Sequence, residues 1–232
     1  MDQSAFIFQI LLSVLMDGLV VTIKLIAITA PPFGLILGIL VAVGRVYGSK
    51  PMSLLCKGAV GFIKGTPLLL MLFILYFGLP SVGITLSAFV ASLVGFIMCN
   101  GAYNSEYIRG AISSVKEGQM IAAQALGMTR MQAVRHIILP PQALIRAIPG
   151  LSNEFIYLIK YSSLAYMLTV VELTGSGKMV ATKYFAYTEV FLAVGLGYLL
   201  LVTITTIAVM LIERKVAVPG MTQSGRSMLD IL

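Results

Sequence analysis

Long apolar runs alternate with short polar stretches along the chain. An apolar run of about 20 residues is long enough for a helix that crosses a lipid bilayer. The pattern predicts five such spans, at residues 17–44, 54–79, 84–107, 149–171 and 189–212. The first span contains Pro31 and Pro32 and is expected to kink there, because proline removes a helical hydrogen bond. Gly65-Thr66-Pro67 is expected to loosen the second span locally. The sequence therefore predicts an all-α integral membrane protein.

The composition supports this class. Hydrophobic residues make up 59% of the chain, charged residues 11%, and the mean hydropathy is +0.99. A chain with so little polar surface is not expected to form a water-soluble globule. Cys56 and Cys99 lie in apolar surroundings without a CxxC pair, which favours two buried small residues over a metal or redox site. No basic segment precedes the first apolar run, so no cleaved signal peptide is expected.

The net charge of +7 is compatible with nucleic-acid binding, but the basic residues flank apolar spans. Such flanks are typical of cytoplasmic loops. Their positions predict that the N-terminus lies outside and the C-terminus in the cytoplasm, with residues 216–232 as a short cytoplasmic tail. The basic residues on the cytoplasmic side are Arg45, Lys50, Lys57, Arg109, Lys116, Arg130, Arg135, Arg146, Arg214, Lys215 and Arg226.

One polar, basic stretch, residues 118–140, interrupts the apolar pattern and faces the cytoplasm in this orientation. Residues 121–126 favour a helix, and Gly127 is expected to end it, because glycine adopts the left-handed conformation easily. Thr129 is expected to cap a second helix over residues 130–138, which Pro140 and Pro141 would stop. On spacing alone, an ordinary loop with two interfacial helices is an equally good interpretation.

The same stretch resembles the EAA loop of permease subunits of ABC importers. The match consists of Ala122-Ala123, three intervening residues, Gly127, nine intervening residues and then Ile137-x-Leu139-Pro140. Other segments resemble the polar amino-acid permeases, and the likeness extends over residues 18–215. They include residues 64–69 (KGTPLL), 102–110 (AYNSEYIRG), 112–115 (ISSV), 118–119 (GQ), 139–143 (LPPQA), 153–155 (NEF), 160–164 (KYSSL) and 172–174 (ELT).

The resemblance implies a type I ABC importer permease fold, with residues 1–215 as a single transmembrane domain in the cell membrane. It implies a second permease, two cytoplasmic ATPase subunits and an extracytoplasmic solute-binding protein. The chain itself would be a transport subunit without a cofactor, and ATP-Mg would bind the ATPases. Ile121 stands where the family usually has Glu. The implied ATPase-coupling residues are Ala122, Ala123, Leu126, Gly127, Arg130, Leu139 and Pro140.

Ionisable residues inside a span point to function. Glu154 is the main candidate, because its carboxylate could bind the cationic group of arginine, lysine or histidine. The alternatives are an ion pair with a neighbouring helix, or a place in water at the interface. Lys160 could pair with Glu172 or with a substrate carboxylate, and Glu106 and Arg109 are expected to pair one turn apart. The further substrate-binding candidates are Asn153, Tyr103, Asn104, Thr66, Ser162 and Ser163.

Three other functions remain to be weighed. Ser176 and His136 are predicted on opposite sides of the membrane, which argues against a serine hydrolase. A Walker A pattern is absent from the sequence, so hydrolysis of ATP by this chain is not expected. An ATPase-independent secondary transporter or channel would leave the EAA-like loop unexplained. The same importer could instead carry another small zwitterion, such as an opine or glutamine.

Overall fold

The computed structural model describes residues 3–216, except the side chains of residues 3–12 and Pro31. Every regular element in this range is helical, which confirms the predicted all-α class. The ten α-helices are α1 (Gln3–Ile28), α2 (Leu35–Tyr47), α3 (Lys50–Gly65), α4 (Leu68–Phe73), α5 (Ala88–Ser113), α6 (Glu117–Ala125), α7 (Arg130–Ala133), α8 (Ile145–Tyr161), α9 (Leu173–Tyr184) and α10 (Tyr187–Val216). The predicted tail, residues 216–232, lies outside the described residues beyond Val216.

The proline pair of the first span lies in a π-helical turn, Thr29–Gly34, between α1 and α2. The Leu35 N–H donates to the carbonyl of Ala30, five residues back, as expected for this wider turn. The turn accommodates the missing proline donors without ending the helix. Residues Ser13–Tyr47 therefore form one apolar helical rod, longer than the predicted span.

The predicted second span is divided at Thr66 and Pro67. Thr66 is extended, because a residue before proline avoids the helical region. The helix axis turns by 103° between Lys50–Gly65 and the following Leu68–Val82, which includes a π-helical turn and a 3₁₀ turn. The expected loosening at Gly65-Thr66-Pro67 is confirmed, but residues 54–79 are two helical pieces rather than one rod.

Helix α5 lies at the centre of the fold. It packs against α2, against α8 and against the π-helical turn of the first span. Small residues allow close contact, since a Cβ atom at Gly38 would lie only 2.7 Å from the Cβ of Asn104. Phe96 and Leu158 are completely buried in the largest apolar cluster, which joins α5 to α8.

Two described helices are long and apolar enough to cross a membrane alone, Ser13–Tyr47 and Tyr187–Val216. The number of candidate spans rises to four if each of two bent helix pairs is counted as one span. The second of these pairs joins Arg130–Leu168 to Leu173–Tyr184 at an angle of 50°. Helix α5 has 26 residues, about 39 Å, which is also sufficient length, although polar residues interrupt it. The five-span topology stays a prediction.

The prediction that Pro140 and Pro141 stop the second helix of the polar stretch is wrong. Both prolines lie inside a π-helical segment, Val134–Leu144, that connects α7 to α8 without a break. The wider hydrogen-bonding pattern absorbs their missing N–H groups, as it does in the first span. One continuous helical rod thus runs from the polar stretch to the region of Glu154.

The segment that follows this rod forms a regular helix, α9. The Glu172 carboxylate caps α9 by accepting hydrogen bonds from the N–H groups of Thr174 and Gly175, at 2.9 and 3.0 Å. The Tyr198 hydroxyl of α10 donates to the same carboxylate at 2.8 Å. The expected pairing of Lys160 with Glu172 is therefore wrong: Glu172 is fully buried, and the exposed Lys160 lies over the ring of Tyr157.

Candidate transport site and coupling segment

Glu154 is buried between α8 and α5, with only 3% of the residue exposed. The Tyr161 hydroxyl donates a hydrogen bond to its Oε1 atom at 3.1 Å. Asn100 of α5 lies near the same carboxylate. Among the described residues, no lysine or arginine lies within 4.0 Å of it, so the expected alternative of an ion pair is not seen. A buried carboxylate without a cation is costly and is a candidate for binding one.

Two predicted residues lie close to Glu154. Tyr103 is half-buried one turn from Asn100, and the Nζ atom of Lys64 lies 5.2 Å from the centre of its ring. Asn104 is buried, and its Nδ2 donates to Asn100 Oδ1 at 2.8 Å. The structure therefore brings Glu154, Tyr103 and Asn104 into one polar region on α5 and α8.

The other predicted substrate contacts are more dispersed. Asn153 is exposed, although it precedes Glu154 in sequence. The Thr66 hydroxyl donates to the Phe62 carbonyl at the helix break. Ser162 and Ser163 donate to carbonyl groups of their own chain segment, and only Ser162 is fully buried. These four residues are not joined to Glu154 by hydrogen bonds in the described part of the chain.

Sequence reasoning missed Asn100 and Tyr161. Asn100 lies four residues before Asn104, so the two amides share one helix face. Tyr161 lies seven residues after Glu154, two helical turns further along α8. Both spacings were readable from the sequence, but each becomes informative only when α5 and α8 are known to be neighbours.

An open cleft of about 260 Å³ lies between α5 and α8 on the side of the polar stretch. It begins at Gly150, one turn before Glu154. At its far end, Arg146 donates from Nη1 to the carbonyl and hydroxyl oxygens of Ser114, which ties α8 to the end of α5. The residues that line the cleft are Tyr107, Gly110, Ala111, Ser114, Arg146, Ala147 and Gly150.

An ion-pair cluster joins α2 to the C-terminal part of α5. Arg45 Nη1 lies 2.6 Å from Glu106 Oε1, and Arg109 Nη2 lies 2.9 Å from Glu106 Oε2. The predicted pairing of Glu106 with Arg109 is confirmed, and Arg45 is an additional partner. Because Glu106 is saturated by two guanidinium groups, it fixes helices rather than binding solute.

The polar stretch forms a short helix, a tight turn and a second helix, as predicted. Gly127 has a φ angle of +85°, in the left-handed region. The Met128 N–H donates to the carbonyl of Ala123, and the Gly127 N–H to that of Gln124, which together form a Schellman motif. Thr129 and Gln132 form a reciprocal capping box at the start of α7. These contacts define a rigid turn, which we call the coupling turn, residues 123–129.

The predicted coupling residues divide into anchored and exposed groups. Ala123 is buried, Leu139 packs into an apolar cluster, and Arg130 lies over the ring of Tyr47 of α2, with its guanidinium carbon 5.2 Å from the ring centre. Leu126 is 83% exposed. Large apolar side chains near the turn are also exposed at Ile121 and Met131, and Ala122, Gly127 and Pro140 lie at the surface.

No hydrogen bond joins Ser176 to His136 among the described residues, in agreement with the sequence argument against a serine hydrolase. His136 is exposed in the π-helical segment that follows α7. Ser176 is buried in α9 against Gly18, and its hydroxyl has no hydrogen-bond partner among the described residues.

Comparison with known families gives a match over residues 34–218 to the family described as "Binding-protein-dependent transport system inner membrane component". The chain belongs to this family. It is therefore the permease component of an ABC importer and a multi-pass membrane protein, and it is a transport subunit rather than an enzyme.

Known relatives agree with this assignment. The chain is 39% identical over 184 residues to the "Probable amino-acid ABC transporter permease protein YckA" of Bacillus subtilis, covering 79% of this chain and 81% of the relative. It is 38% identical over 203 residues to the "Probable glutamine ABC transporter permease protein GlnM" of the same organism, covering 88% and 93%. Both alignments span most of each permease.

The fold is also that of a solved transporter. A chain of the "amino acid ABC transporter with histidines" superposes with a TM-score of 0.82 at 29% identity, covering 93% of this permease and 99% of that chain. This similarity confirms the predicted type I importer permease fold.

Proposed function

We propose that this permease imports polar amino acids, with a preference for basic ones, by alternating access driven by separate ATPase subunits. Relatives described as amino-acid and glutamine permeases support an amino-acid cargo. The solved transporter of the same fold is described with histidines, and this supports a basic amino acid as the cargo.

The observation that carries the basic preference is the environment of Glu154. Its carboxylate is buried, accepts a hydrogen bond from Tyr161, and has no cationic side chain within 4.0 Å among the described residues. An ammonium or guanidinium group of a substrate would supply the missing charge. Tyr103 and Asn104 lie nearby, and the open cleft from Gly150 to Ser114 would serve as the route from this site towards the cytoplasm.

The proposed topology has five spans, with the N-terminus outside and the coupling turn in the cytoplasm. In this arrangement Arg45, Arg109 and Arg146 lie on the cytoplasmic side, as the positive-inside rule requires. A second permease would complete the pathway, and an extracytoplasmic binding protein would deliver the amino acid.

The coupling turn and the helices on either side of it would receive the movement of two cytoplasmic ATPase subunits, which bind ATP-Mg. Ile121, Leu126 and Met131 present exposed apolar surface around a turn that is held by internal hydrogen bonds. Apolar side chains that project from a rigid polar segment suit a groove on a partner protein. Arg130 and Leu139 would transmit the movement, since they pack against α2 and the core.

The central experiment is equilibrium binding of labelled arginine to the purified permease–ATPase complex, without the binding protein. Glu154→Gln removes the charge and keeps the shape. The loss of one partner of a buried charge pair costs about 2–5 kcal/mol, so arginine should bind at least about 30-fold more weakly. Glutamine binding should change much less. The control is Glu189→Gln, since Glu189 is exposed at the start of α10.

Unchanged arginine binding by the Glu154→Gln complex would remove this carboxylate from the site. Stronger binding of glutamine than of arginine by the native complex would instead favour the relative's cargo, or another small zwitterion such as an opine.

An ATPase-independent secondary transporter is the remaining alternative. It is tested by co-purification, in which the tagged permease should retain an ATP-binding cassette subunit. Uptake that persists without any such subunit would contradict the coupling proposal.

A further inference from the structure

The environment of Glu154 extends across α5 to the first span through two buried amides. Asn104 Nδ2 donates to Asn100 Oδ1 at 2.8 Å, and Asn100 lies near the Glu154 carboxylate. Asn104 and Asn100 are 4% and 1% exposed, so water does not compete for the bond between them. The three polar side chains of Asn104, Asn100 and Glu154 thus lie next to one another.

The hydrogen bond from Asn104 determines the orientation of the Asn100 amide. Asn100 has one acceptor oxygen and one NH₂ group. Because the oxygen accepts the bond from Asn104, the NH₂ group is the part that remains for Glu154. Asn104 therefore orients Asn100 so that its NH₂ group faces the carboxylate.

The π-helical turn of the first span holds Asn100 from the opposite side. Gly34, the last residue of this turn, is buried, and a Cβ atom there would overlap the Oδ1 atom of Asn100. Its next neighbour on the same face, Gly38, lies against the Cβ atom of Asn104. The two glycines leave the space that the amide pair fills, so the position of Asn100 depends on the first span.

Two buried oxygen atoms at this interface, Thr29 Oγ1 and Asn104 Oδ1, have no hydrogen-bond partner among the described residues. Unsatisfied buried polar atoms reduce stability and call for an explanation. Apolar residues at positions 29 and 104 would let α5 pack against the first span without the free-energy cost of unpaired polar atoms. The cluster is therefore better explained by a role in the site than by a role in stability.

We infer that Gly34, Asn104 and Asn100 form a positioning network that sets the carboxylate of Glu154 for cationic amino acids. Asn100 presents the donor, Asn104 fixes its orientation, and Gly34 fixes its location from a helix of the first span. This inference rests on the proposed function, because it assigns the network to the binding of a basic substrate by Glu154.

The first test is Asn104→Leu, with labelled arginine and glutamine bound to the purified permease–ATPase complex. Leucine has nearly the shape of asparagine but no donor, so Asn100 is no longer held with its NH₂ group towards Glu154, and no charge is added to the site. Arginine binding should weaken about tenfold or more, and glutamine binding much less. The control is Ser105→Ala, which removes a buried hydroxyl that donates only to its own helix, at Ala102.

The second test is a cycle of Gly34→Ala and Asn100→Ala. The alanine at position 34 should displace Asn100 and weaken arginine binding about tenfold, although residue 34 carries no polar side chain. If it acts through Asn100, the double variant should bind arginine as the Asn100→Ala variant does, because the two effects are then not additive. The double variant also relieves the overlap, so it keeps the test valid if Gly34→Ala alone assembles poorly.

The outcomes separate this inference from the proposed function. Weak arginine binding by Glu154→Gln together with native binding by Asn104→Leu and Gly34→Ala would overturn the network and leave the proposed function standing. Native binding by Glu154→Gln would overturn both. Equal losses for arginine and glutamine, or additive effects in the cycle, would mean that these residues only hold the helices together, which also overturns the inference.

Discussion

The coupling turn depends on a backbone conformation that only a few residues adopt. Gly127 has a φ angle of +85°, and a Cβ atom at this position would meet nothing within 4 Å. A substitution there therefore acts through the backbone alone, without a steric clash. An alanine in the left-handed region costs about 1–2 kcal/mol, whereas asparagine costs less because its short polar side chain tolerates this region.

The cost should appear as faster hydrogen exchange of the amides that close the turn, those of Gly127 and Met128. Their bonds to Gln124 and Ala123 have lengths of 2.9 and 3.1 Å. Since local opening becomes easier by about 1–2 kcal/mol, Gly127→Ala should accelerate exchange about 5- to 30-fold. Gly127→Asn should give a smaller change. The measurement is hydrogen–deuterium exchange of the purified complex, resolved to this segment by mass spectrometry.

Gly118→Ala is the matched control, because Gly118 lies inside α6 and its Cβ atom would also meet nothing within 4 Å. Alanine is the better helix former, so exchange at the turn should not increase. The reasoning fails if Gly127→Ala exchanges at the native rate, or if asparagine is more disruptive than alanine.

Two further predictions concern the packing of α9. Tyr198→Phe removes a hydrogen bond to the buried Glu172 carboxylate and should destabilise the purified permease by about 1–3 kcal/mol in thermal unfolding; an unchanged midpoint would show that the bond is dispensable. Gly18→Ala should destabilise it by about 1–3 kcal/mol, because the new Cβ atom overlaps the Ser176 hydroxyl, while Gly195→Ala, with nothing within 4 Å, should not; equal effects of the two would contradict this packing argument.

Local sequence signals predicted the coupling turn well. Gly127 and Thr129 act through contacts within a few residues, so a short window of sequence contains all the information. The break at Thr66-Pro67 is another local effect and was also expected, although a rotation of 103° was not.

The prolines show where local reasoning failed. Pro140 and Pro141 favour the end of a helix, but a π-helical segment carries the chain through them into α8, where tertiary packing outweighs the local preference. The site was predicted only in part for a related reason. Glu154 stands out as an acid in an apolar span, but Asn100 and Tyr161 become its neighbours only through the packing of α5 against α8.

The unbroken path from α7 into α8 has a mechanical consequence. Arg130 and Glu154 lie on the same rod, separated by 24 residues or roughly 36 Å at the rise of an α-helix. The path between them is helical throughout. Tilting the end at Arg130 by about 5° would displace the other end by about 3 Å, comparable to the length of a hydrogen bond. A small tilt at the coupling turn is therefore large enough to make or break a hydrogen bond at Glu154.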